Sequence, residues 1–184
     1  MTTLDSLIAA AGGKGDSVRA ELFGALYNEL HQMARRQLAR GGASGRLGVT
    51  TLLHEAYLNM ARREGTDYLD RAHFMGYAAR VMRGIIVDHA RTRRAAKRGG
   101  QFEITSLDTT IANSVASATE LVAIDEALRE LECIEPRLAE IVDLKFFCGF
   151  TFAEIGEMYG VDERTVRRKW EKARLFLHRS LRAR

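Results

Sequence analysis

The chain contains a single proline, Pro136, among its 184 residues. Proline inside a helix removes a backbone donor and clashes with the preceding turn. Because the chain has only this one proline, long stretches of it are free of that obstacle to helix formation. Strand-like alternation is scarce, and apolar residues instead recur at steps of three and four. We therefore predict an all-α protein.

Five segments before residue 150 follow this helical spacing, and glycine or polar residues separate most of them. The predicted helices run from Val18 to about residue 40, from Leu52 to Met60, from about Ala72 to Arg98, from Leu121 to Leu131, and from Pro136 to near Gly149. Pro136 suits the first position of a helix, where its missing N–H costs nothing. The helix that it opens is predicted to bury Leu138, Ile141, Val142 and Phe146.

The charges divide the chain into three parts. Residues 1–98 carry 16 Lys and Arg against 9 Asp and Glu, residues 99–136 carry 1 against 8, and residues 137–184 carry 11 against 7. Residues 99–118 are rich in Gly, Ser, Thr, Asn and Asp, as is typical of a flexible linker. We predict two small helical domains, 1–98 and 119–184, each facing a polyanion and joined by this linker. The alternative is solvated charge scattered over helices.

Several function classes have no support in the sequence. No apolar run approaches about 18 residues and the N-terminus lacks a basic segment, so we expect a cytoplasmic protein without a signal peptide or membrane span. Cys133 and Cys148 lie apart from each other and from histidines, which predicts core thiols and no metal or cofactor. The five histidines are dispersed, and no nucleophile with a positioned base or phosphate loop is visible. We therefore predict no catalytic residues.

The C-terminal part carries the most specific local pattern. Thr151 and Glu154 have the spacing of a capping box, in which Thr opens a helix and Glu bonds back to it. Gly156 permits close helix approach, Gly160 permits a tight turn, and Asp162 suits the start of the next helix. With apolar Val166 as core anchor, this spacing predicts a helix-turn-helix.

The second helix of this motif has one apolar face and one basic face. Its apolar face is formed by Val166, Trp170, Ala173, Leu177 and Leu181. Its outer face carries Arg164, Thr165, Arg167, Arg168, Lys169, Lys172 and Arg174. Such side chains contact phosphates and base edges in the major groove of DNA. A helical hairpin with a charged solvent face is the simpler alternative.

A second basic stripe follows the predicted helix 72–98. At about 100° per residue, five arginines fall within a stripe roughly 80° wide: Arg80, Arg83, Arg91, Arg94 and Arg98. The opposite side carries Phe74, Ala78, Val81, Ile85 and His89. The arginines repel one another on an isolated helix, and a polyanion along the stripe would offset that cost. A solvated basic face is the alternative.

With these features the chain resembles extracytoplasmic-function (ECF) sigma factors over nearly its whole length. The residues that carry the resemblance are Met82 to Arg91, Lys97 to Gly100, Phe152 to Gly156 and Thr165 to Arg168. The resemblance implies an alternative sigma factor that binds core RNA polymerase and directs transcription from specific promoters. A helix-turn-helix regulator that is not a polymerase subunit remains the alternative, although no effector pocket or dimerisation coiled coil is visible.

The resemblance also implies roles for the two basic faces. The first domain would bind polymerase and the −10 element, with Arg80, Arg83, Arg91, Arg94 and Arg98 facing DNA. The last domain would read the −35 element through Arg164, Thr165, Arg167, Arg168, Lys172 and Arg174. The loop from Gly65 to His73 lies where the family captures a flipped base, and the linker would run toward the RNA exit path.

The sequence departs from the family pattern at two places. Gly84 stands where these factors commonly have Asn. Before Leu52 the family usually carries an acidic run that contacts a basic surface of the polymerase clamp, but here Gly48 to Thr51 carries no charge. The chain thus resembles the sigma factors that lack this acidic run, and that resemblance implies control by a serine/threonine kinase. Thr51 is the predicted phosphate acceptor, and Thr50 is the less favoured one. Alternatively, the hydroxyl of either threonine only caps the helix.

Overall fold

The computed structural model describes residues 16–40, 47–62, 70–99 and 109–183, with side chains for 20–39, 47–62, 70–92 and 119–183. These parts of the chain are helical and contain no β-strand, which confirms the all-α prediction. The helices are α1 (Asp16–Ala25), α2 (Tyr27–Arg40), α3 (Val49–Ala61), α4 (Arg71–Gly99), α5 (Thr109–Ile134), α6 (Pro136–Val142), a π-helical segment (Asp143–Cys148), α7 (Phe152–Tyr159) and α8 (Glu163–Arg182).

The first four helices pack by the periodicity that predicted them. α3 turns Leu52, Leu53, Ala56 and Met60 inward, against α2 and α4. Each such buried side chain contributes about 1.5–3 kcal/mol relative to an exposed one, which holds the short helix in place. The predicted helix that starts near Val18 is instead two helices, because the helical conformation is interrupted at Leu26 between α1 and α2.

Residues 109–118 of the predicted linker form the first turns of α5. Ser, Thr and Asn are weak helix formers, but extending a helix costs less than nucleating one. Leu121, Leu128 and Leu131 are buried and hold the later turns of α5 against the core, and the helix continues from them toward its N-terminal end. Residues 100–108 of the predicted linker lie outside the described residues, as do Gly41 to Gly45.

The helix that begins at Pro136 ends differently from the prediction. After Val142 the backbone winds into the π-helical segment, whose wider turn shifts the side chains that follow. Phe147 is therefore buried and Phe146 is exposed. The prediction that Phe146 is buried is wrong. Gly149 ends the segment with a φ of +83°, a left-handed conformation that favours glycine.

The N-terminal and C-terminal helices share one buried apolar core. α4 packs against both α5 and the π-helical segment, which also contacts α2. At this junction Cys148 is buried, and its Sγ lies 3.7 Å from the carbonyl oxygen of Met75. The guanidinium of Arg36 donates to the carbonyl oxygen of Cys148. Cys133 is exposed on α5, so the prediction of a core thiol is right for Cys148 and wrong for Cys133.

None of the helices in the described part of the chain combines the length and apolar character needed to cross a lipid bilayer.

Candidate nucleic-acid interface

The helix-turn-helix predicted near the C-terminus is present, and its first helix starts with the predicted capping box. The hydroxyl of Thr151 accepts from the backbone N–H of Glu154 at 3.1 Å, and the Glu154 carboxylate accepts from the Thr151 N–H at 2.6 Å. These hydrogen bonds hold the pKa of Glu154 below its ordinary value. The box therefore fixes the start of α7 by reciprocal bonds between backbone and side chain.

The turn between α7 and α8 depends on two glycines. Gly160 adopts a φ of +62°, the left-handed conformation in which a side chain is strained. Gly156 faces the turn, and a Cβ placed on it would lie 2.7 Å from the carbonyl oxygen of Val161. Asp162 then starts α8 by accepting from the Thr165 N–H at 2.8 Å, which lowers the pKa of Asp162. All four local predictions of this motif are confirmed.

The second helix of the motif, α8, buries most of its predicted apolar face and exposes most of its predicted basic face, although Leu181 is exposed and Lys169 is half-buried. Val166 and Ala173 are buried against the rest of the domain, and Trp170 packs on Phe152 with 6.1 Å between ring centroids. The basic side is exposed and contains Arg164, Arg167, Arg168, Lys172 and Arg174, with half-buried Thr165 beside them. This surface has the charge and shape expected of a major-groove reader.

The basic side chains of α8 differ in whether they form ion pairs with carboxylates. Arg167 bonds to Glu163 at 2.8 Å through Nε and lies 4.9 Å from the Phe152 ring centroid. Lys172 pairs with Glu135, and Arg174 lies 3.5 Å from a carboxylate oxygen of Glu171. By contrast, the remaining two arginines of the predicted set pair with no carboxylate in the described part of the chain; they are Arg164 and Arg168. An anionic ligand can approach these two arginines without the breaking of an ion pair.

The basic stripe of α4 is not the open surface that the sequence predicted. Arg83 is only 3% exposed and lies between two buried carboxylates. Its Nε donates to Asp125 of α5 at 2.8 Å, and a terminal nitrogen donates to Asp143 of the π-helical segment. Its guanidinium also lies 5.0 Å from the ring centroid of Phe147. The expected exposure of Arg83 is therefore wrong for this conformation.

Two further arginines of the stripe also pair with acidic residues of α5. Arg80 pairs with Glu132, and Arg91 lies 3.4 Å from Glu126. The helical backbone of α4 continues through Arg94 and Arg98, whose side chains lie outside the described residues. The basic face (Arg80, Arg83, Arg91) thus pairs with an acidic face (Asp125, Glu126, Glu132, Asp143), and Arg83 at its centre is fully covered. This pairing was not predicted, although the change from a basic to an acidic segment near residue 99 is a sequence signal for it.

Burial sets the electrostatics of this contact. Burial disfavours the charge on Arg83, but Asp143 and Asp125 outweigh that effect and raise the pKa of the guanidinium. Burial likewise raises the pKa of Asp143 to about 6, against the opposing attraction of Arg83 and Arg80. Arg83, Asp125 and Asp143 are therefore held together inside the protein, whereas Arg80 at the edge of the group is partly exposed.

Thr50 and Thr51, the predicted phosphate acceptors, lie at the start of α3. Thr50 and Thr51 are exposed at the second and third helical positions, and this first turn contains no acidic residue. The N-cap residue is Gly48, so no side chain accepts a hydrogen bond from the first turn of the helix at this position. The alternative that Thr50 or Thr51 serves as the helix cap is therefore wrong, because both lie inside the helix.

Comparison with known proteins agrees with this architecture. The family model described as "ECF sigma factor" matches residues 3–183. The chain is also similar to the ECF RNA polymerase sigma factor BldN of Streptomyces coelicolor, with 25% identity over 151 residues. That alignment covers 80% of this chain and 56% of BldN, so the chain spans little more than half the length of this relative. Because the family model covers nearly all of it, the chain belongs to the ECF sigma factor family.

Proposed function

We propose that this chain is an alternative sigma factor that binds core RNA polymerase and directs initiation at specific promoters. The observation that carries the proposal is the exposed basic face of α8 in a capped helix-turn-helix, within a chain of the ECF sigma factor family. Major-groove recognition needs donors that reach base edges, and Arg164 and Arg168 extend such donors from the first turns of α8.

The proposal divides promoter contact between two domains, 1–98 and 119–184. The basic face of α8 would read the −35 element. The arginines of α4, Arg94 and Arg98 included, would contact the −10 element once they are accessible. Residues 99–118 would connect the two domains, and the helical part of this segment would move with α5.

Run-off transcription with purified core polymerase tests the proposed activity. Genomic DNA fragments bound by the chain and polymerase together supply the templates, and the chain is omitted in parallel reactions. Transcripts that start at defined positions only when the chain is present would support a sigma factor. If the chain binds the same fragments without polymerase and never confers initiation, it is a helix-turn-helix regulator instead.

We further propose that phosphorylation of Thr51 by a serine/threonine kinase permits polymerase binding. The sites usually occupied by acidic residues are uncharged here, and the Thr51 hydroxyl is exposed in the first turn of α3. A phosphate adds about −1.5 to −2 charges at neutral pH. The N-terminal end of a helix favours negative charge, so the modification suits this position.

Chains that carry phosphothreonine at position 51 or at position 50 test this control. We expect phosphate on Thr51 to tighten binding to core polymerase about tenfold, since one charge-assisted hydrogen bond contributes about 1.5 kcal/mol. Thr51→Ser keeps an acceptor hydroxyl and is expected to remain active in the native cells. Thr51→Ala lacks it and is expected to be inactive there, although it preserves the helix. Equal activity of these two variants would place control elsewhere.

A further inference from the structure

The strongest feature not used by the proposed function is the ion-pair seam between α4 and the helices that follow. It joins the basic face of α4 (Arg80, Arg83, Arg91) to the acidic face of α5 and the π-helical segment (Asp125, Glu126, Glu132, Asp143). Each described arginine of the predicted −10 stripe has a carboxylate partner across this seam. Residues 99–136, which supply three of the four carboxylates, carry 8 acidic residues and 1 basic residue.

We propose that this seam is an autoinhibitory contact, in which the acidic face occupies the −10 DNA site of α4. The inference rests on the proposed function, because it assigns a regulation to the same arginines. Carboxylates and phosphates offer the same partner to a guanidinium, namely an anionic oxygen that accepts charge-assisted hydrogen bonds. The acidic face therefore takes the place of the DNA backbone along this side of α4.

The contact and DNA binding exclude each other. Arg83 is 3% exposed, and both carboxylates that hold it are buried, so no phosphate reaches it while the seam is closed. The side chain of Asp125 also accepts from Arg129 at 2.9 Å, which keeps the carboxylate fixed toward the seam. DNA can pair with Arg83 only after α5 and the π-helical segment have moved away from α4.

The ion pairs add little to the cost of opening the contact. Ion pairs that are transferred from water into a protein gain little net stability, because desolvation offsets most of their attraction. Opening also separates the apolar contacts of α4 with α5 and the π-helical segment, so a partner that opens the seam must replace those contacts. The ion pairs therefore specify one closed arrangement, and apolar packing supplies most of its stability.

A pair of matched variants tests closure without polymerase. Glu126→Gln with Glu132→Gln removes two partly exposed charges of the acidic face, so the fold is expected to persist. Glu130→Gln with Glu21→Gln is the control, since it removes two exposed charges away from the seam. Glu130 lies on the same helix but accepts from Ser180 of α8, and Glu21 lies on α1. Both variants therefore have the same net charge.

Two measurements on the full chain distinguish them. The acidic-face variant is expected to have a larger radius of gyration in small-angle X-ray scattering than the wild type and the control. It is also expected to bind a fluorescein-labelled 30-base-pair duplex of mixed sequence several-fold more tightly than the control. Each newly available arginine adds about 0.9 to the slope of log affinity against log salt, so three arginines steepen it by about 2–3. Identical scattering, affinity and salt slope for the two variants would overturn the proposal.

A charge swap provides a second test that does not depend on DNA. Glu126→Arg alone faces Arg91 with a like charge and is expected to open the seam. Adding Arg91→Glu to it restores an opposite pair and is expected to recover the wild-type scattering profile, because the neighbouring Asp88 is exposed to solvent. A swapped chain no more compact than the Glu126→Arg chain would contradict a charge-driven closure.

Failure of this proposal is separable from failure of the proposed function. Scattering and duplex binding use the chain alone, whereas initiation is measured with core polymerase. A chain that opens as described but never initiates transcription would overturn the sigma-factor proposal only. A chain that initiates transcription, and whose variants do not differ in compactness or duplex binding, would overturn only the autoinhibitory contact.

Discussion

Arg83 of α4 donates its Nε hydrogen to Asp125 of α5 at 2.8 Å, across 42 positions of sequence. Asp143, 60 positions from Arg83, accepts from the same guanidinium. One arginine thus joins α4, α5 and the π-helical segment. Because Arg83, Asp125 and Asp143 are all buried, each charge depends on the others for its neutralisation.

Replacing Arg83 with Met is expected to lower the free energy of unfolding by about 3–5 kcal/mol, because Asp125 and Asp143 remain buried without their cation. Arg129→Met is the matched control. Arg129 also bonds to Asp125, but its side chain is 61% exposed, so we expect a loss below about 1 kcal/mol. Urea denaturation followed by circular dichroism measures both values. Similar losses for the two variants would mean that the buried position of Arg83 is unimportant.

The raised pKa of Asp143 predicts a pH dependence of stability. Its pKa is about 6 in the folded chain against an ordinary 3.8, so the folded state binds this proton more tightly than the unfolded state. The stabilisation from protonated Asp143 is full below the ordinary value and is lost as the pH rises through about 6. The groups that face Asp143 are Arg83 and Arg80 of α4 and Glu132 of α5.

Comparison with Asp143→Asn isolates this effect, because asparagine does not titrate. The free energy of unfolding of the wild type, relative to that of the variant, is expected to fall between pH 4.5 and pH 7. Urea denaturation at several pH values measures the difference. A relative stability that rises over this range would show that attraction to Arg83 outweighs burial.

Two glycines are expected to respond in opposite ways to alanine. Gly156→Ala would bring a Cβ to 2.7 Å from the Val161 carbonyl oxygen, so the turn between α7 and α8 must shift and the free energy of unfolding falls. Gly84 lies inside α4, and a Cβ added there would meet no atom within 4 Å apart from its own helix backbone and chain neighbours. Gly84→Ala is therefore expected to stabilise the chain by about 0.5–1 kcal/mol. Thermal unfolding separates them, and stabilisation by both variants would refute the close approach at Gly156.

Arg168→Ala is expected to weaken binding to a −35 duplex while leaving polymerase binding intact. Arg168 is exposed near the N-terminal end of α8 and has no carboxylate partner in the described part of the chain. A contact to a base edge contributes about 1–3 kcal/mol and specifies one position, so its loss also relaxes specificity there. Arg179→Ala, in the last turn of α8, is the control and is expected to have little effect on specificity. Fluorescence anisotropy with single-base duplex variants would reveal an error if Arg179 governs specificity and Arg168 does not.

The helix-turn-helix could be predicted residue by residue because its determinants are local. Thr151 and Glu154 are three positions apart, and Gly156, Gly160 and Asp162 follow within eight more. Each acts on the backbone beside it, through a cap, a close approach or a left-handed turn. The faces of α8 followed from the 3.6-residue period for the same reason.

Other features depended on wider context and were predicted less well. Residues 109–118 have the composition of a linker, yet they form the first turns of a helix whose later turns pack against the core. Phe146 had the right spacing for burial, but the π-helical segment turned Phe147 inward instead. Neither outcome is visible in a window of a few residues.

The sequence by itself determined that α4 has a face of arginines, since helical periodicity places Arg80, Arg83 and Arg91 on one side. Only the tertiary structure decided that this face is covered by Asp125, Glu126, Glu132 and Asp143. Periodicity fixes which residues share a surface, because it depends on the geometry of one helix. The partner of that surface depends on how separate helices pack, and residues 35 or more positions apart meet only through the packing of the whole chain.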